Sequence, residues 1–396
     1  MKYRNVYLDN GATTMVDPKV MEVMLPYYTK KFGNASSGHH FGDEARQGME
    51  KARKIIASSI GANTDEIVFT SGGTESNNFA IKSIACTNKE KGNHIITSKI
   101  DHDCVLNSCR WLETQGFKVT FMDVDKEGFI TPEALEEAIT PETILVSIIH
   151  GNNEIGTIQD LKALGEVCRK HGVYFHTDAC QSYTKTELNM KTMPVNLMTL
   201  NAHKIHGPKG VGALYIRKGT EIKSWQDGGG QEDNLRSGTE NIHGIVGFGE
   251  SVKQAMNQKH RDYMTRLRDK LIDGILKEVP DVRLNGPKGD KRLCNNINLS
   301  FLGVEGEALG GYLDQKGICS STGSACSTHN LEPSHVIMAL GRTHEEANGT
   351  IRLTLSRFTS EEDIDYTLEV LPGIVKKLRK ISPIGRLTNY VLRENA

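Results

Sequence analysis

The sequence predicts an α/β protein built around a largely parallel sheet. Short apolar runs alternate with stretches of helical period over much of the chain, and strands separated by helices are typical of βαβ units. Several runs end in polar or glycine-rich turns, as the run at 67–70 does at 71–74. After about residue 250 the pattern changes to a long charged helix followed by strand-like segments. These observations predict a second, smaller domain.

The strand-like runs of the first part lie at 67–70, 94–98, 118–124, 143–150, 173–177, 197–201 and 212–216. Helical patterns lie between several of them, for example at 131–139 and 160–171. Thr131 followed by Pro132 is a typical helix start, because threonine caps the helix and proline fits its first turn.

The second part is predicted to begin with one long charged helix at about 250–277. Strand-like segments follow at 282–286 and 296–301. A last helix is expected over 359–380, where Thr359 to Glu362 has the spacing of a capping box. Pro372 is expected to break or kink this helix near its middle.

The composition excludes several classes of function. The 396 residues include 48 basic and 49 acidic residues, for a net charge of -1, so we expect neither nucleic-acid binding nor attachment to an anionic membrane. No apolar run approaches the ~20 residues of a spanning helix, and the N-terminus lacks the apolar segment of a signal peptide. The eight cysteines form no CxxC pair. We therefore expect reduced thiols and a cytoplasmic protein.

A loop with a lysine follows the predicted strand at 197–201. Lys204 lies beside His203 in the glycine- and proline-containing segment 202–210, and a lysine whose amine is neutral part of the time can form a Schiff base. Most loop lysines are only solvated, so this signal alone is weak.

An acid stands at the end of another predicted strand. Asp178 precedes Lys204 by 26 positions, which fits a pyridoxal phosphate site where a carboxylate pairs with the pyridinium nitrogen. An aspartate that caps a helix is the alternative.

The segment 71–78, Ser-Gly-Gly-Thr-Glu-Ser-Asn-Asn, is a candidate phosphate site. Glycines let the backbone approach a phosphate, and the helix that follows offers unpaired N–H groups. A plain strand-to-helix turn would look similar.

Three other cysteines give little indication of a functional site. Cys104 and Cys109 lie near His102, but their spacing fits no common zinc pattern, so core or surface thiols are favoured and no metal site is expected. Cys180 is interpreted as a small buried residue.

Taken in this order, the three segments resemble the cysteine desulfurases, which are class V, fold-type I pyridoxal-phosphate enzymes. Further matching segments lie at 7–14, 32–37, 152–157, 228–232, 236–239 and 351–354. The most discriminating is Gly-Ser-Ala-Cys at 323–326, followed by Glu-Pro-Ser-His at 332–335. The spacing between Cys326 and Glu332 resembles the group with the longer cysteine loop, which usually supplies sulfur to iron–sulfur cluster scaffolds.

The resemblance also implies a fold. The large, cofactor-binding domain would span 15–255 around a mostly parallel seven-stranded sheet. Residues 1–14 and 256–396 would form a smaller α+β domain that contains the catalytic cysteine loop.

The roles of the central site residues follow from the resemblance. Lys204 would bind pyridoxal 5'-phosphate covalently and act on the Cα proton. Asp178 would pair with the pyridine nitrogen and Gln181 with the phenolic oxygen, while His102 would stack on the ring and handle protons. Cys326 would be the sulfur-accepting nucleophile.

The remaining implied contacts concern the phosphate and the substrate. The phosphate would be held by Gly73, Thr74, His203 and, at a position where serine is common, Asn201. Thr239 would reach the phosphate of the other subunit, which implies a homodimer. The substrate would be bound by Arg352, Asn153 and Asn34, with Asn153 also near the cofactor.

The implied activity is conversion of L-cysteine to L-alanine, with the sulfur moved to Cys326 as a persulfide. An acceptor protein would then receive it for iron–sulfur clusters, another thio-cofactor or tRNA. The alternatives are a selenocysteine lyase, another class V lyase or aminotransferase, and a non-catalytic partner in sulfur transfer. The cysteine at 326 disfavours an aminotransferase, and the complete cofactor set disfavours a non-catalytic role.

Overall fold

The structure is a computed structural model and describes residues 4–322 and 333–381. Its strands are β1 (Val6–Tyr7), β2 (Ile67–Thr70), β3 (His94–Ser98), β4 (Lys118–Met122), β5 (Thr143–Ser147), β6 (Tyr174–Asp178), β7 (Leu197–Asn201), β8 (Gly212–Ile216), β9 (Val282–Leu284), β10 (Asn296–Phe301), β11 (Ile318–Cys319) and β12 (Thr350–Thr354). Its helices are α1 (Pro18–Met24), α2 (Pro26–Thr29), α3 (His40–Ser59), α4 (Gly73–Asn88), α5 (Asp103–Thr114), α6 (Pro132–Ala138), α7 (Leu161–Lys170), α8 (Ile242–Ala255), α9 (Gln258–Glu278), α10 (Gly306–Asp314), α11 (His335–Ala339), α12 (His344–Asn348) and α13 (Glu361–Ile381).

The main sheet has seven strands within the described residues, in the order β2-β8-β7-β6-β5-β3-β4. Only β8 runs antiparallel to its neighbours, so the predicted, mostly parallel α/β sheet is confirmed. Most of its strands are buried along their whole length, as expected for a sheet covered by helices on both faces. Because six strands point the same way, Asp178 and Asn201 end neighbouring strands at one edge.

A smaller antiparallel sheet has the order β12-β10-β9, and β1 pairs with β11 in parallel. Val6 and Leu8 belong to the same buried cluster as side chains of α9, α10, α13 and this sheet. The proposed grouping of the N-terminal residues with the C-terminal part remains a prediction, and this packing is compatible with it.

One helix prediction is wrong, and a second is only partly tested. The single helix at about 250–277 is instead two helices, because the chain leaves the helical conformation at Met256 and Asn257. The Asn257 side chain then accepts a hydrogen bond from the backbone N–H of Lys259 and caps α9. Pro372 is predicted to break or kink the last helix; it does not break α13, and a kink there stays a prediction. That helix continues for nine residues beyond it, and buried side chains such as Leu371 and Ile374 pack into the core on either side.

In the described part of the chain, no helix combines the length and apolar character needed to cross a membrane.

Candidate active site

A cavity of about 610 Å³ lies at the carboxyl edge of the main sheet and is closed on one side by β12. It gathers most of the predicted site residues, namely Gly73, Thr74, His102, Asn153, Asp178, Gln181, Asn201, His203, Lys204 and Arg352. Residues separated by up to 279 positions in the sequence therefore share one chamber.

Three predicted site residues do not fall in this group. Asn34 and Thr239 are exposed and do not line the cavity; the Asn34 side chain accepts a hydrogen bond from the N–H of Ser36 at 2.8 Å. Cys326 lies outside the described residues.

Lys204 lies in the turn that follows β7. Its Nζ donates hydrogen bonds to the backbone carbonyl oxygens of Gly11 and, at 2.6 Å, Ala12. Gln181 Nε2 donates to the same Gly11 oxygen at 2.8 Å. The N-terminal segment therefore holds the lysine and the glutamine side by side at the cavity wall.

Asp178 ends β6 and is 5% exposed. Its Oδ1 accepts the backbone N–H of Cys180 at 2.8 Å, and its Oδ2 accepts Asn77 Nδ2–H at 2.6 Å. These donors hold the carboxylate in place. Sequence reasoning missed Asn77, although it lies in the 71–78 segment, because the side of α4 that faces the sheet cannot be assigned from that short motif.

The N-terminus of α4 faces the cavity through Gly73 and Thr74. Its N-cap, Gly72, provides no side-chain hydrogen bond, whereas α5 and α7 are capped by side chains. Its first-turn N–H groups are thus free of a side-chain cap, as an anion site requires. A Cβ on Gly73 would lie 2.6 Å from Cys180 Sγ, so with Cys180 in place a larger residue would push the backbone or the sulfur out of position.

Two polar side chains flank this helix end. Asn201 Oδ1 is buried without a hydrogen-bond partner among the described residues. Burial, together with the nearby charges of Lys204 and Lys209, lowers the pKa of His203 to about 4. A neutral His203 can still donate one ring N–H to an oxygen ligand.

These features fit pyridoxal phosphate. An amine, a fixed carboxylate, a helix N-terminus without a side-chain cap and an orphaned buried amide oxygen surround one cavity, and they match the aldehyde, ring nitrogen and phosphate of that cofactor.

His102 caps α5. Its Nδ1 accepts the backbone N–H of Cys104 at 3.2 Å and lies 3.1 Å from Cys104 Sγ. The imidazole is therefore anchored to its helix through Nδ1.

At the other end of the cavity, Arg352 is 3% exposed. Its Nη2 lies 3.1 Å from Asp9 Oδ1, and its Nη1 donates to the Asn153 carbonyl oxygen at 3.2 Å. Asn153 Oδ1 and Arg352 Nε are buried without partners among the described residues. A guanidinium with this arrangement suits a carboxylate ligand.

Glu154 is a further cavity residue that sequence reasoning missed. Its Oε2 accepts the Ser334 hydroxyl at 2.5 Å, and burial raises its pKa to about 7 despite the opposing charge of Arg352. Glu154 lies in the matching segment 152–157, but its burial depends on the packing of 333–335 from a distant part of the chain.

The aminotransferase class-V family matches residues 6–367. The cysteine desulfurase IscS of Dictyoglomus turgidum is 51% identical over 382 residues, covering 96% of this chain and 97% of that protein. The chain belongs to the cysteine desulfurases of this family. Among solved structures, a NifS-like protein has a TM-score of 0.89 and 38% identity, covering 95% of this chain and all of that one. SspA in complex with cysteine has a TM-score of 0.80 and 37% identity, covering 90% of this desulfurase and all of that chain.

These findings confirm the predicted family, the fold-type I architecture, the pyridoxal-phosphate-dependent enzyme class and the desulfurase function. The selenocysteine lyase and aminotransferase alternatives are not favoured. Within the described part of the desulfurase, no group of three or more metal-ligating side chains is found. Cys109 is instead a core residue, whereas Cys104 lines the cavity.

Proposed function

We propose that this desulfurase takes the sulfur of L-cysteine through the combined action of Lys204, Arg352 and Cys326. The observation that supports the proposal is the shared cavity, in which the Lys204 amine, the Asp178 carboxylate and the Arg352 guanidinium face one space. Such a space admits an amino acid whose carboxylate and α-carbon are handled by different groups.

At the cofactor end, bound pyridoxal phosphate supplies an electron sink for the substrate Cα–H bond. Asp178 keeps a proton on the ring nitrogen, and Gln181 has a second amide N–H for the phenolic oxygen. We infer that Lys204 Nζ moves the Cα proton, because it is an amine that lines the same cavity as the groups assigned to the cofactor and the substrate.

At the substrate end, Arg352 binds the substrate carboxylate with its parallel N–H groups. Asn153 presents its side-chain amide beside it. Asp9 competes for the same guanidinium, and we infer that the incoming carboxylate displaces or shares this ion pair.

The sulfur step is assigned to Cys326 from the sequence. Its thiolate attacks the sulfur of the substrate, so that an S–S bond forms and the C–S bond of the substrate breaks, leaving alanine after protonation. The persulfide then passes to an acceptor protein, for which an iron–sulfur cluster scaffold is our first candidate.

We also propose a homodimer in the cytoplasm. The exposed position of Thr239, outside the cavity of its own chain, supports a contact with the phosphate of a second subunit. Asn34 would likewise need the partner or the bound substrate to take part.

The proposal is tested with purified holoenzyme and L-cysteine under reductant. We expect the visible absorption band to shift and alanine and sulfide to form in equal amounts. Cys326→Ala should keep the band and lose sulfide formation, whereas the matched control Cys319→Ala should keep both. Normal sulfide release by Cys326→Ala would contradict the persulfide route.

A further inference from the structure

A continuous set of hydrogen bonds joins the carboxylate of Asp178 to the imidazole of His102. Asn77 Nδ2 lies 2.6 Å from Asp178 Oδ2 and 3.1 Å from Cys104 Sγ. Cys104 Sγ in turn lies 3.1 Å from His102 Nδ1. The two groups assigned to the ring nitrogen and the ring face are thus linked through an amide and a thiol.

The direction of each hydrogen bond follows from the donors available. The Asn77 amide nitrogen can only donate, so one N–H goes to the carboxylate and the other to the sulfur. The sulfur, acting as acceptor toward Asn77, keeps its own S–H for His102 Nδ1. That nitrogen also accepts the backbone N–H of Cys104. Both donors address the single lone pair of Nδ1, so in this arrangement the ring proton stands on Nε2.

Because Asn77 is buried, its hydrogen bond to Cys104 matters for stability. Asn77 is fully buried, and an amide N–H left unpaired there would lose its hydrogen bonds to water without compensation. Cys104 is half-buried and borders the cavity, whereas Cys109 on the same helix packs in the apolar core. Cys104 packs against the edge of the same cluster, but its contacts with Asn77 and His102 distinguish it from Cys109.

We propose that Cys104 is a positioning residue, whose thiol fixes the orientation of the His102 ring and couples that imidazole to Asp178 through Asn77, while the backbone N–H of Cys104 holds the tautomer. The inference rests on the proposed function only in assigning His102 to the cofactor ring. Cys104 itself neither accepts sulfur nor binds a metal in this role.

The first test measures the imidazole directly. Holoenzyme is labelled with ¹⁵N-histidine, and the His102 ring signals are identified by their loss in His102→Gln. We expect Nε2 protonated and Nδ1 unprotonated in the parent enzyme. Cys104→Ala should move the Nδ1 resonance downfield because the S–H donor is lost. Cys104→Ser should restore it, and Cys86→Ala, which removes an exposed thiol, should leave it unchanged.

The second test separates positioning from packing. Cys104→Ala should lower kcat for L-cysteine by about three- to tenfold, the value of one hydrogen bond, with KM changed by less than about twofold. Cys104→Ser should return kcat to within about twofold of the parent, since a hydroxyl can form the same two hydrogen bonds as the thiol.

An unchanged Nδ1 resonance in Cys104→Ala would overturn the proposal, as would a serine variant that is no better than alanine. The NMR result does not depend on sulfide formation. Failure of the parent enzyme to desulfurate cysteine would therefore contradict the proposed function and leave the His102 measurement independent.

Discussion

The two halves of the cavity, which we propose to bind the cofactor and the substrate, are built in different ways. In the cofactor half, Asp178 and Asn201 stand at strand ends of the buried sheet, and Lys204 follows directly after one of them. In the substrate half, Arg352 lies on the small sheet and is held by Asp9 and the Asn153 backbone. The cofactor half is positioned by main-chain geometry, whereas the substrate half depends on contacts between distant segments.

The difference indicates how each half responds to substitution. Changes in the cofactor half should remove chemistry, because the sheet cannot move to compensate. Changes in the substrate half should mainly alter affinity and pH dependence, because charged groups there already interact with one another.

Lys204→Ala should produce the largest effect. Losing the amine that we propose to move the Cα proton should lower kcat by about 10³-fold. Alanine production in a coupled assay measures this, with Lys209→Ala as the control because Lys209 is exposed in the same loop. Activity within tenfold of the parent would remove Lys204 from the mechanism.

Glu154→Gln should change the pH dependence of stability. The pKa of Glu154 is raised in the folded state to about 7, so the folded state binds more protons than the unfolded chain. The contribution of Glu154 to the free energy of unfolding therefore declines as the pH rises from about 4.5, the ordinary pKa of a glutamate, through 7. At pH 8 the free energy of unfolding of the variant should exceed that of the parent by on the order of 3 kcal/mol. At pH 4 the two values should be equal.

Denaturant unfolding at several pH values measures the Glu154 effect. Glu133→Gln, at an exposed position in α6, should give a curve parallel to that of the parent. If the free energy of unfolding of Glu154→Gln also followed that of the parent at every pH, the Glu154 carboxyl group would have an ordinary pKa and the prediction would be wrong.

Arg352→Lys should raise KM for L-cysteine by about tenfold to a hundredfold, because an ammonium group cannot make the paired, charge-assisted hydrogen bonds of a guanidinium. The visible band should be unaffected. Arg357→Lys is the control, since Arg357 pairs with Asp17 and does not line this cavity. An equal rise in KM for both variants would point to a general structural defect.

Asp9→Asn should give the smallest effect and the opposite sign. Weakening the competition for Arg352 should lower KM by about two- to fivefold, the value of a partly exposed ion pair. Asp43→Asn, which removes an exposed partner of Arg46, should leave KM unchanged. An increase in KM for Asp9→Asn would mean that Asp9 orients Arg352 rather than competing with substrate.

Part of the proposed cofactor half could be predicted from the sequence. Strands and turns are local patterns, so the ends at Asp178 and Asn201 and the lysine loop could be placed before their neighbours were known. Asn77, Cys104 and Glu154 were not assigned to the site, because their roles depend on which side of a helix or turn faces a distant segment. The division of the 250–277 region into two helices was missed for a related reason, since the capping role of Asn257 competes with a continuous helical pattern.

The contact between Gly73 and Cys180 links two neighbouring parts of the cofactor pocket. Because the sulfur of Cys180 fills the space that a methyl group on residue 73 would need, the side chains at these two positions cannot both be large. An exchange of Gly73 for alanine alone should displace the turn that we propose to bind the phosphate, and the same exchange should become tolerable once residue 180 is reduced to alanine. Any redesign of this pocket must therefore treat the two positions as one unit.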